Sequence, residues 1–171
     1  MSERRPCWRP MRAADLPAVS VIAALVHPAY PEEDAVVAER LRLCPDGCFI
    51  LARGGAAVLG YAVGHPWRAR TVPDLDALLG ALPEPAGAWC IHDVALRPEA
   101  RGCGAAGALV DLMLGEAARR GLPEAVLVAV GTAAGFWRRH GFRPIPDAPP
   151  PGYGAGATLM VRAVEPRSAE A

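Results

Sequence analysis

A glycine-rich turn between a strand and a helix is the feature that most constrains how this chain folds. The segment Arg101-Gly102-Cys103-Gly104-Ala105-Ala106-Gly107 follows the apolar stretch WCIHDVAL, and its last residues open the amphipathic stretch AAGALVDLMLGEAARRG. Glycines let backbone N–H groups approach an anion without an obstructing Cβ, and a helix N-terminus adds unpaired N–H groups and a positive dipole end. The segment therefore predicts either a phosphate or pyrophosphate site or a simple tight turn.

The literal G-x-G-x-x-G spacing of residues 102–107 also suggests a dinucleotide, but the surrounding sequence argues against one. Dinucleotide folds place these glycines directly at the tip of the first strand, whereas RPEAR separates strand from glycines here, past the middle of the chain. The acidic residue that would hold a ribose is missing after the next strand, which runs into Gly131-Thr132. A P-loop is excluded because all 18 cationic residues are Arg and none is Lys.

Length, charge and cysteine usage narrow the class of protein further. A chain of 171 residues predicts a single domain, here over 1–165, with a disordered tail over 166–171. A net charge of zero argues against a nucleic-acid partner, and no apolar run approaches the roughly 18 residues of a membrane helix. The N-terminus has no apolar signal-peptide core. The five cysteines form no CxxC pair, so we expect reduced thiols, no metal site and a cytoplasmic location.

The first half of the chain predicts a strand, two helices and a hairpin. CWRPMR is the strand, AADLPAVSVIAALV is a helix with Asp15 as its N-cap, and EEDAVVAERLRLC is a second helix. CFILAR and AAVLGYAVGH form the hairpin around Gly54-Gly55. Residues 66–88 form an irregular, Pro-rich insert that contains a short helix, because four leucines in it have helical spacing: Leu75, Leu78, Leu79 and Leu82.

The second half predicts alternating strands and helices. WCIHDVAL is a strand, the segment after the glycine turn is a helix, and EAVLVAV is a central strand. GTAAGFWRRHG is a short helix capped by Thr132 and stopped by Gly141. FRPIP and ATLMVRAV are the last strands, joined by a loop over 146–156.

This order of elements and two motifs resemble the GNAT acetyltransferase superfamily. Residues 101–106 fit its R/Q-x-x-G-x-G/A motif, and the L-x-P-x-x-R-G lead-in is also similar. The run Phe136-Trp137-Arg138-Arg139-His140-Gly141-Phe142 resembles the second motif of the family. The resemblance covers most of residues 5–163 and implies an α/β (α+β) fold. Its mostly antiparallel central sheet is flanked by helices, and two splayed parallel strands form the acyl-CoA cleft.

The resemblance also implies how acetyl-CoA would bind. The parallel strands would be 89–96 and 125–130, with the pantetheine added like a strand along one exposed backbone edge. The pyrophosphate would lie on the N–H groups of the glycine turn. The residues thereby assigned to acetyl-CoA are Val94, Ala95, Leu96, Arg101, Gly102, Cys103, Gly104, Ala105, Ala106, Gly107 and Trp137.

Within the superfamily, CIHDVAL is similar to a strand of the arylalkylamine N-acetyltransferases, where a His-x-His pair precedes the residues that pair with coenzyme A. His92 matches the second His, and Cys90 replaces the first. This implies attack by the primary amine of a small molecule on the thioester, with His92 as general base. The alternative is a half-buried structural His. Period-two alternation predicts that His92 shares a face with Cys90 and not with Asp93.

The acceptor amine is expected between the HPAYP loop and the 66–88 insert. Tyr30, Trp67 and Cys90 are its candidate contacts, and Asp74 and Asp76 could attract its positive charge. Trp137 stands where the family usually has a Tyr that protonates the departing thiolate, and an indole cannot act as that acid. Two alternatives therefore stay open: a degenerate, non-catalytic acyl-CoA-binding or sensor module, and an acetyltransferase for peptide or protein amines.

Overall fold

The computed structural model describes residues 5–54 and 57–165, and within these ranges seven strands form one mixed sheet. The strands are β1 (Cys7–Pro10), β2 (Cys48–Arg53), β3 (Ala57–Trp67), β4 (Ala88–Leu96), β5 (Glu124–Ala129), β6 (Arg143–Pro144) and β7 (Thr158–Ala163). They lie in the order β1-β2-β3-β4-β5-β7-β6, and only the pair β4 and β5 is parallel. The mixed, mostly antiparallel sheet expected from the sequence is confirmed. The tail expected over 166–171 lies outside the described residues.

Four α-helices in the described ranges flank this sheet. They are α1 (Leu16–Val26), α2 (Asp34–Leu43), α3 (Ala105–Arg119) and α4 (Ala134–Arg139). Ile22 of α1 and Val37 of α2 pack with Tyr61 of β3 in one buried cluster. On the opposite face, Met113 of α3 packs with Trp89 of β4 in a second cluster. The sheet therefore separates an α1–α2 layer from an α3 layer, as the apolar periodicity of these helices requires.

The start of α1 agrees with the expectation in position but not in side-chain bonding. Asp15 is the N-cap residue of α1, as predicted, but its side chain makes no capping bond to α1, and Asp15 also ends a short 3-10 turn over Ala13–Asp15. Its carboxylate accepts two hydrogen bonds from the Arg9 guanidinium, at 2.8 and 2.7 Å, and one from the Arg12 N–H at 2.8 Å. The hydrogen bonds from Arg9 lower the pKa of Asp15 despite partial burial. Asp15 thus links the helix start to β1.

The prediction of a short helix inside the 66–88 insert was wrong. Residues 75–82 form turns and extended chain. The insert is shorter than expected because β3 continues to Trp67. Its backbone N–H groups find side-chain acceptors in place of helical carbonyls, since Leu79 and Gly80 donate to the Glu39 carboxylate at 2.7 and 3.0 Å. Leucine spacing alone could not anticipate these acceptors, which come from α2.

A β-bulge interrupts β4 at His92. On β3, Val63 pairs with Asp93 and Gly64 pairs with Ile91, so His92 has no partner in the β3 ladder. A bulge of this kind turns two successive side chains toward one side of the strand. His92 and Asp93 accordingly line the same cavity. The prediction from strict alternation that they lie on opposite faces was wrong for this reason.

The strands β4 and β5 separate just where the bulge begins. Their parallel pairing in the described chain comprises Trp89↔Ala125, Cys90↔Val126 and Ile91↔Leu127. Beyond Ile91 the gap-side edge of β4 is therefore free of β5.

Alternation along β4 decides which backbone groups face this gap. The Arg97 N–H donates to the Leu59 carbonyl of β3 at 2.8 Å. Because backbone groups alternate sides along a strand, those of Ala95 face β3, and those of Val94 and Leu96 face the gap. Val94, Ala95 and Leu96 were expected to bond to pantetheine through their backbone groups. The N–H and C=O groups of Ala95 face β3 and not the gap.

Candidate active site

A small cavity of about 90 Å³ lies where β4 and β5 part. It is walled by the two strands, by the loop between α1 and α2, by α4 and by the loop before β7. Its lining residues are His27, Tyr30, Glu32, Leu75, Ile91, His92, Asp93, Val94, Leu127, Val128, Val130, Ala133, Trp137 and Tyr153. Several polar side chains therefore lie close together at the point where β4 and β5 separate.

His92 forms an ion-pair contact with Glu32 in this cavity. The Nε2 atom of His92 lies 3.1 Å from Oε2 of Glu32, and the two side chains are 2% and 11% exposed. A carboxylate can only accept, so Nε2 of His92 carries the proton that the contact requires. In the neutral imidazole the basic lone pair is then on Nδ1. Glu32 thereby selects one tautomer of His92, which is the usual way a carboxylate prepares a histidine for proton transfer.

A second histidine–carboxylate pair lines the same cavity. The Nε2 atom of His27 lies 3.1 Å from Oδ1 of Asp93 and 3.0 Å from the carbonyl oxygen of Val94. The Tyr61 hydroxyl donates to Oδ2 of Asp93 at 2.5 Å. Each Asp93 oxygen therefore has a donor, and one carbonyl on the gap side of β4 has His27 as its partner.

Opposing effects set the ionisation of this second pair. Burial lowers the pKa of His27, but the hydrogen bond to Asp93 and its negative charge more than offset burial, so the pKa is raised. Burial raises the pKa of Asp93, but the hydrogen bond and charge of His27 and the hydrogen bond from Tyr61 outweigh it, so the pKa is lowered. The pair favours the imidazolium–carboxylate form.

A third histidine lies beneath the first. His65 is 0% exposed, and its ring centroid is 5.9 Å from that of His92. Burial lowers the pKa of His65 to about 3, with a further contribution from His92. The Nδ1 atom of His65 is 2.9 Å from the Pro66 carbonyl, so a neutral His65 donates there. His65 is therefore uncharged at neutral pH and adds no positive charge beside His92.

The glycine turn has the backbone that its sequence predicts. Gly102 and Gly104 have φ of +76° and +83°, in the left-handed region that glycine adopts freely. The helix α3 starts at Ala105, whose carbonyl accepts a hydrogen bond from the Trp8 indole at 2.8 Å. Within the described part of the chain, the N–H groups of residues 102–107 have no hydrogen-bond partner. They are available to an anion.

The residues expected to contact the acceptor fall in different places. Tyr30 lines the cavity and packs on Tyr153, with ring centroids 5.9 Å apart. Trp67 and Cys90, at 8% and 1% exposed, belong to a buried cluster that includes Val126. The expectation that Trp67 lies in a loop was wrong because β3 extends to it. Burial raises the pKa of Cys90 to about 12, so it is a thiol in the core.

The two aspartates of the insert do not converge on the cavity. Asp74 is exposed. Asp76 hydrogen-bonds to the backbone of the α1–α2 loop, where its Oδ1 accepts the Glu33 N–H at 2.6 Å. The side chains that do converge there, and that the sequence did not single out, are His27, Glu32, Asp93 and Tyr153. Glu32 was predicted to lie in the second helix, whereas α2 begins at Asp34 and Glu32 belongs to the loop before it.

A larger groove of about 770 Å³ runs between α1 and α2 and joins the cavity. The two share His27, Tyr30, Glu32 and Asp93. Side chains such as Leu16, Val19, Ala23 and Val37 make much of the groove apolar, while Glu32, Glu33, Asp34 and Asp93 make its cavity end acidic. Among the described residues that line the groove there is no Arg. A ligand with an apolar body and a cationic head matches this distribution of charge.

Two features are absent from the described residues, a metal-binding group of side chains and a membrane-spanning helix. Residues 5–54 and 57–165 contain no group of three or more His, Cys, Asp or Glu side chains arranged to hold a metal ion. None of the helices in the same ranges is long and apolar enough to span a membrane.

Comparison with solved structures shows a widely shared fold. Ard1 from Thermoplasma volcanium is 20% identical with a TM-score of 0.71, over 94% of this chain and 98% of that one. The ribosomal-protein-S18-alanine N-acetyltransferase from Escherichia coli is 18% identical with a TM-score of 0.66, over 97% and 98%. The GNAT-like decarboxylase GphF, solved with isobutyryl-CoA, is 19% identical with a TM-score of 0.77, over 93% and 100%.

The match to a family model decides the family. No curated protein matched the chain. The model described as the Acetyltransferase (GNAT) family matches residues 12–142, which is well over half of the sequence. The matches support the superfamily and do not support the narrower resemblance to the arylalkylamine branch. From this match, and from the splayed parallel strands beside a glycine turn, the chain belongs to the GNAT family of acyl-CoA-dependent acetyltransferases.

Proposed function

We propose that the protein is an N-acetyltransferase that moves an acetyl group from acetyl-CoA to the primary amine of a small molecule by direct attack. The observation that carries the proposal is the His92–Glu32 pair, 3.1 Å apart, in a cavity at the mouth of the splayed strands. A base placed there would stand at the end of the acyl-CoA cleft, where the thioester of a bound cofactor has to meet its acceptor.

The residues present fit acetyl-CoA, which would supply the thioester. The gap-side backbone of Val94 and Leu96 offers an edge to which the pantetheine amides can add, as a further strand would. His27 already donates to the Val94 carbonyl, so the Val94 N–H is the free group at that residue. The unpaired N–H groups of residues 102–107 and the start of α3 suit the pyrophosphate.

The His92–Glu32 pair addresses the main chemical obstacle. A primary amine has a pKa of about 10, so roughly one molecule in a thousand is neutral at pH 7. Nδ1 of neutral His92 can take the proton from the incoming ammonium, directly or through water, while Glu32 holds Nε2 and stabilises the imidazolium that forms. The neutral amine then attacks the carbonyl carbon and the C–S bond breaks, while the proton that the new amide nitrogen loses passes to the departing thiolate, directly or through water, to give the thiol of coenzyme A.

Departure of the thiolate needs a hydrogen-bond donor more than a strong acid. A thiol has an ordinary pKa of about 8.5, so the thiolate leaves tolerably near neutrality. Trp137 lines the cavity and its indole can only donate. Tyr153 lines it too, and burial raises the pKa of its phenol, with Glu32 adding to the rise, so the hydroxyl stays protonated. We assign the donor role to these two side chains.

The groove between α1 and α2 supports an amphipathic amine as acceptor. Its apolar walls would hold the body of the molecule, and the carboxylates of Glu32, Glu33 and Asp34 would attract the ammonium group. Leu75 of the insert and the Tyr30–Tyr153 contact narrow the cavity itself. Peptide amines are the alternative acceptor class, since the same groove could admit an N-terminal segment.

One experiment separates these possibilities. Thiol release from acetyl-CoA is followed with a panel of alkylamines, arylalkylamines, polyamines and short peptides, and NAD replaces acetyl-CoA in a parallel thermal-shift measurement. We expect acetyl-CoA and not NAD to stabilise the fold, and amphipathic amines to be acetylated. Faster turnover of the peptides would assign the protein to peptide amines. Tight acetyl-CoA binding with no acetylation of any acceptor would identify a non-catalytic acyl-CoA-binding module.

A further inference from the structure

The insert, residues 68–87, reaches the candidate base through one carboxylate. The Asp76 N–H donates to Oε1 of Glu32 at 3.0 Å, and the other oxygen, Oε2, lies 3.1 Å from Nε2 of His92. In return, the Glu33 N–H donates to Oδ1 of Asp76 at 2.6 Å. Two hydrogen bonds, one in each direction, therefore join Asp76 to Glu32 and Glu33. Glu32 in turn connects the insert to the imidazole of His92.

These bonds matter because Glu32 lies in the loop between α1 and α2. A glutamate side chain there has several rotamers open to it, and freezing it against one partner costs conformational entropy. The bond from Asp76 restricts Glu32 before any substrate binds. Asp76 has φ of +59°, a left-handed conformation that Asp adopts more readily than most residues do.

The insert is itself fixed to α2 by two charged side chains. Arg40 is 0% exposed, and its guanidinium donates to the Ala77 carbonyl at 2.8 Å and to Glu39 at 2.7 Å. The Glu39 carboxylate also accepts the N–H groups of Leu79 and Gly80. A buried guanidinium is costly unless it is well bonded, and these bonds hold the backbone on the C-terminal side of Asp76. The position of Asp76 is therefore set by a rigid helix.

From these contacts we propose that Asp76 is a positioning residue, which holds Glu32 so that its carboxylate keeps His92 in the Nε2-protonated tautomer and leaves Nδ1 as the basic nitrogen. The role of His92 as base rests on the proposed function. The positioning of His92 by Glu32 and Asp76 does not, because it concerns hydrogen bonds that can be observed in the free protein.

Two variants break the link from opposite sides. Asp76→Gly removes the carboxylate and suits the positive φ, so it introduces no backbone strain. Glu33→Pro removes the N–H group that donates to the Asp76 carboxylate. Glu33 already has φ of −65°, the value that proline requires. Asp76→Asn keeps an acceptor oxygen and serves as the rescue. Asp74→Gly, at an exposed acidic residue two positions away, is the matched control.

Steady-state kinetics gives the first readout. We expect Asp76→Gly and Glu33→Pro to lower kcat by about 10-fold to 100-fold, the scale of a misplaced catalytic group. The KM for acetyl-CoA should stay within about twofold, since the cofactor edge of β4 is untouched. Asp76→Asn should retain most of kcat, and Asp74→Gly should match the wild type. Equal kcat values in both disrupting variants and the wild type would overturn the proposal.

Imidazole ¹⁵N NMR gives a readout that needs no activity, with the His92 signal assigned by its loss in His92→Gln. At a pH where His92 is neutral, the wild type and Asp76→Asn should show a protonated Nε2, and the two disrupting variants should show a mixture of tautomers. An unchanged His92 spectrum in the disrupting variants would refute the positioning role. If the wild type acetylates no acceptor, the proposed function fails, and this comparison still decides whether Asp76 positions His92.

Discussion

The buried His65 makes a quantitative prediction about acid stability. Its pKa is lowered to about 3 in the folded protein, by burial first and by the neighbouring His92 second, while an unperturbed imidazole has a pKa of about 6.5. The unfolded chain therefore binds a proton at this residue over a pH range in which the folded protein does not. The stability that results is fully present above pH 6.5 and is lost as the pH falls from 6.5 toward 3.

The magnitude follows from the two pKa values. Each pH unit below 6.5 lowers the free energy of unfolding by about 1.4 kcal/mol. From pH 8 to pH 5 the loss attributable to His65 is thus about 2 kcal/mol, a large share of the 5–15 kcal/mol typical of a domain. His27 contributes with the opposite sign and above pH 6.5, because its pKa is raised and the stability it adds is lost as the pH rises. The wild type alone therefore cannot isolate the effect, and a variant is needed.

The replacement His65→Gln does not titrate and keeps an amide that can donate to the Pro66 carbonyl. Urea unfolding followed by tryptophan fluorescence at pH 8, 7, 6 and 5 gives the free energy of unfolding for both proteins. The variant can be less stable throughout, but its stability relative to the wild type should improve by about 2 kcal/mol between pH 8 and pH 5. Parallel pH dependences for the two proteins would refute the assignment of a neutral, buried His65.

Three further predictions concern the site. His92→Ala should lower kcat/KM by about 100-fold, with a smaller loss at high pH where the amine is already neutral, and should leave acetyl-CoA affinity nearly unchanged in a calorimetric titration. Gly104→Val should weaken acetyl-CoA binding, because φ of +83° is strained for a β-branched residue and the N–H groups of the turn would move; an unaltered Kd in a folded variant would contradict the assigned pyrophosphate site. His27→Gln should lower the free energy of unfolding most below pH 6.5, and by progressively less as the pH rises through the raised pKa of His27. Urea unfolding of both proteins at pH 6 and pH 9 measures this difference.

Interactions between residues adjacent in the chain made the glycine turn and the strands around it predictable from the sequence. Gly102 and Gly104 lie in the left-handed region because the turn needs it, and the helix that follows is amphipathic over its whole length. Both properties depend on residues adjacent in the chain. The apolar stretches that became β4 and β5 were equally local, and the resemblance to the GNAT superfamily, which rests on their order around the glycine turn, implied the splayed parallel pair and an acyl-CoA cleft.

The histidine–carboxylate cluster of the candidate site depends on contacts between residues far apart in the chain, which only the tertiary structure decided. His92 and Glu32 are separated by 60 positions, and Asp76 and Glu32 by 44. The bulge that brings Asp93 to the face of His92 arises from the register of β3 against β4, so the alternation of the sequence could not reveal it. Trp67 was predicted as an aromatic of the irregular insert that contacts the amine and is instead buried in the core, because β3 extends to it. The sequence by itself determined a glycine turn that opens a helix within a recognisable order of elements, while packing decided which carboxylates stand beside the histidines, since hydrogen bonds and burial act through space and not along the chain.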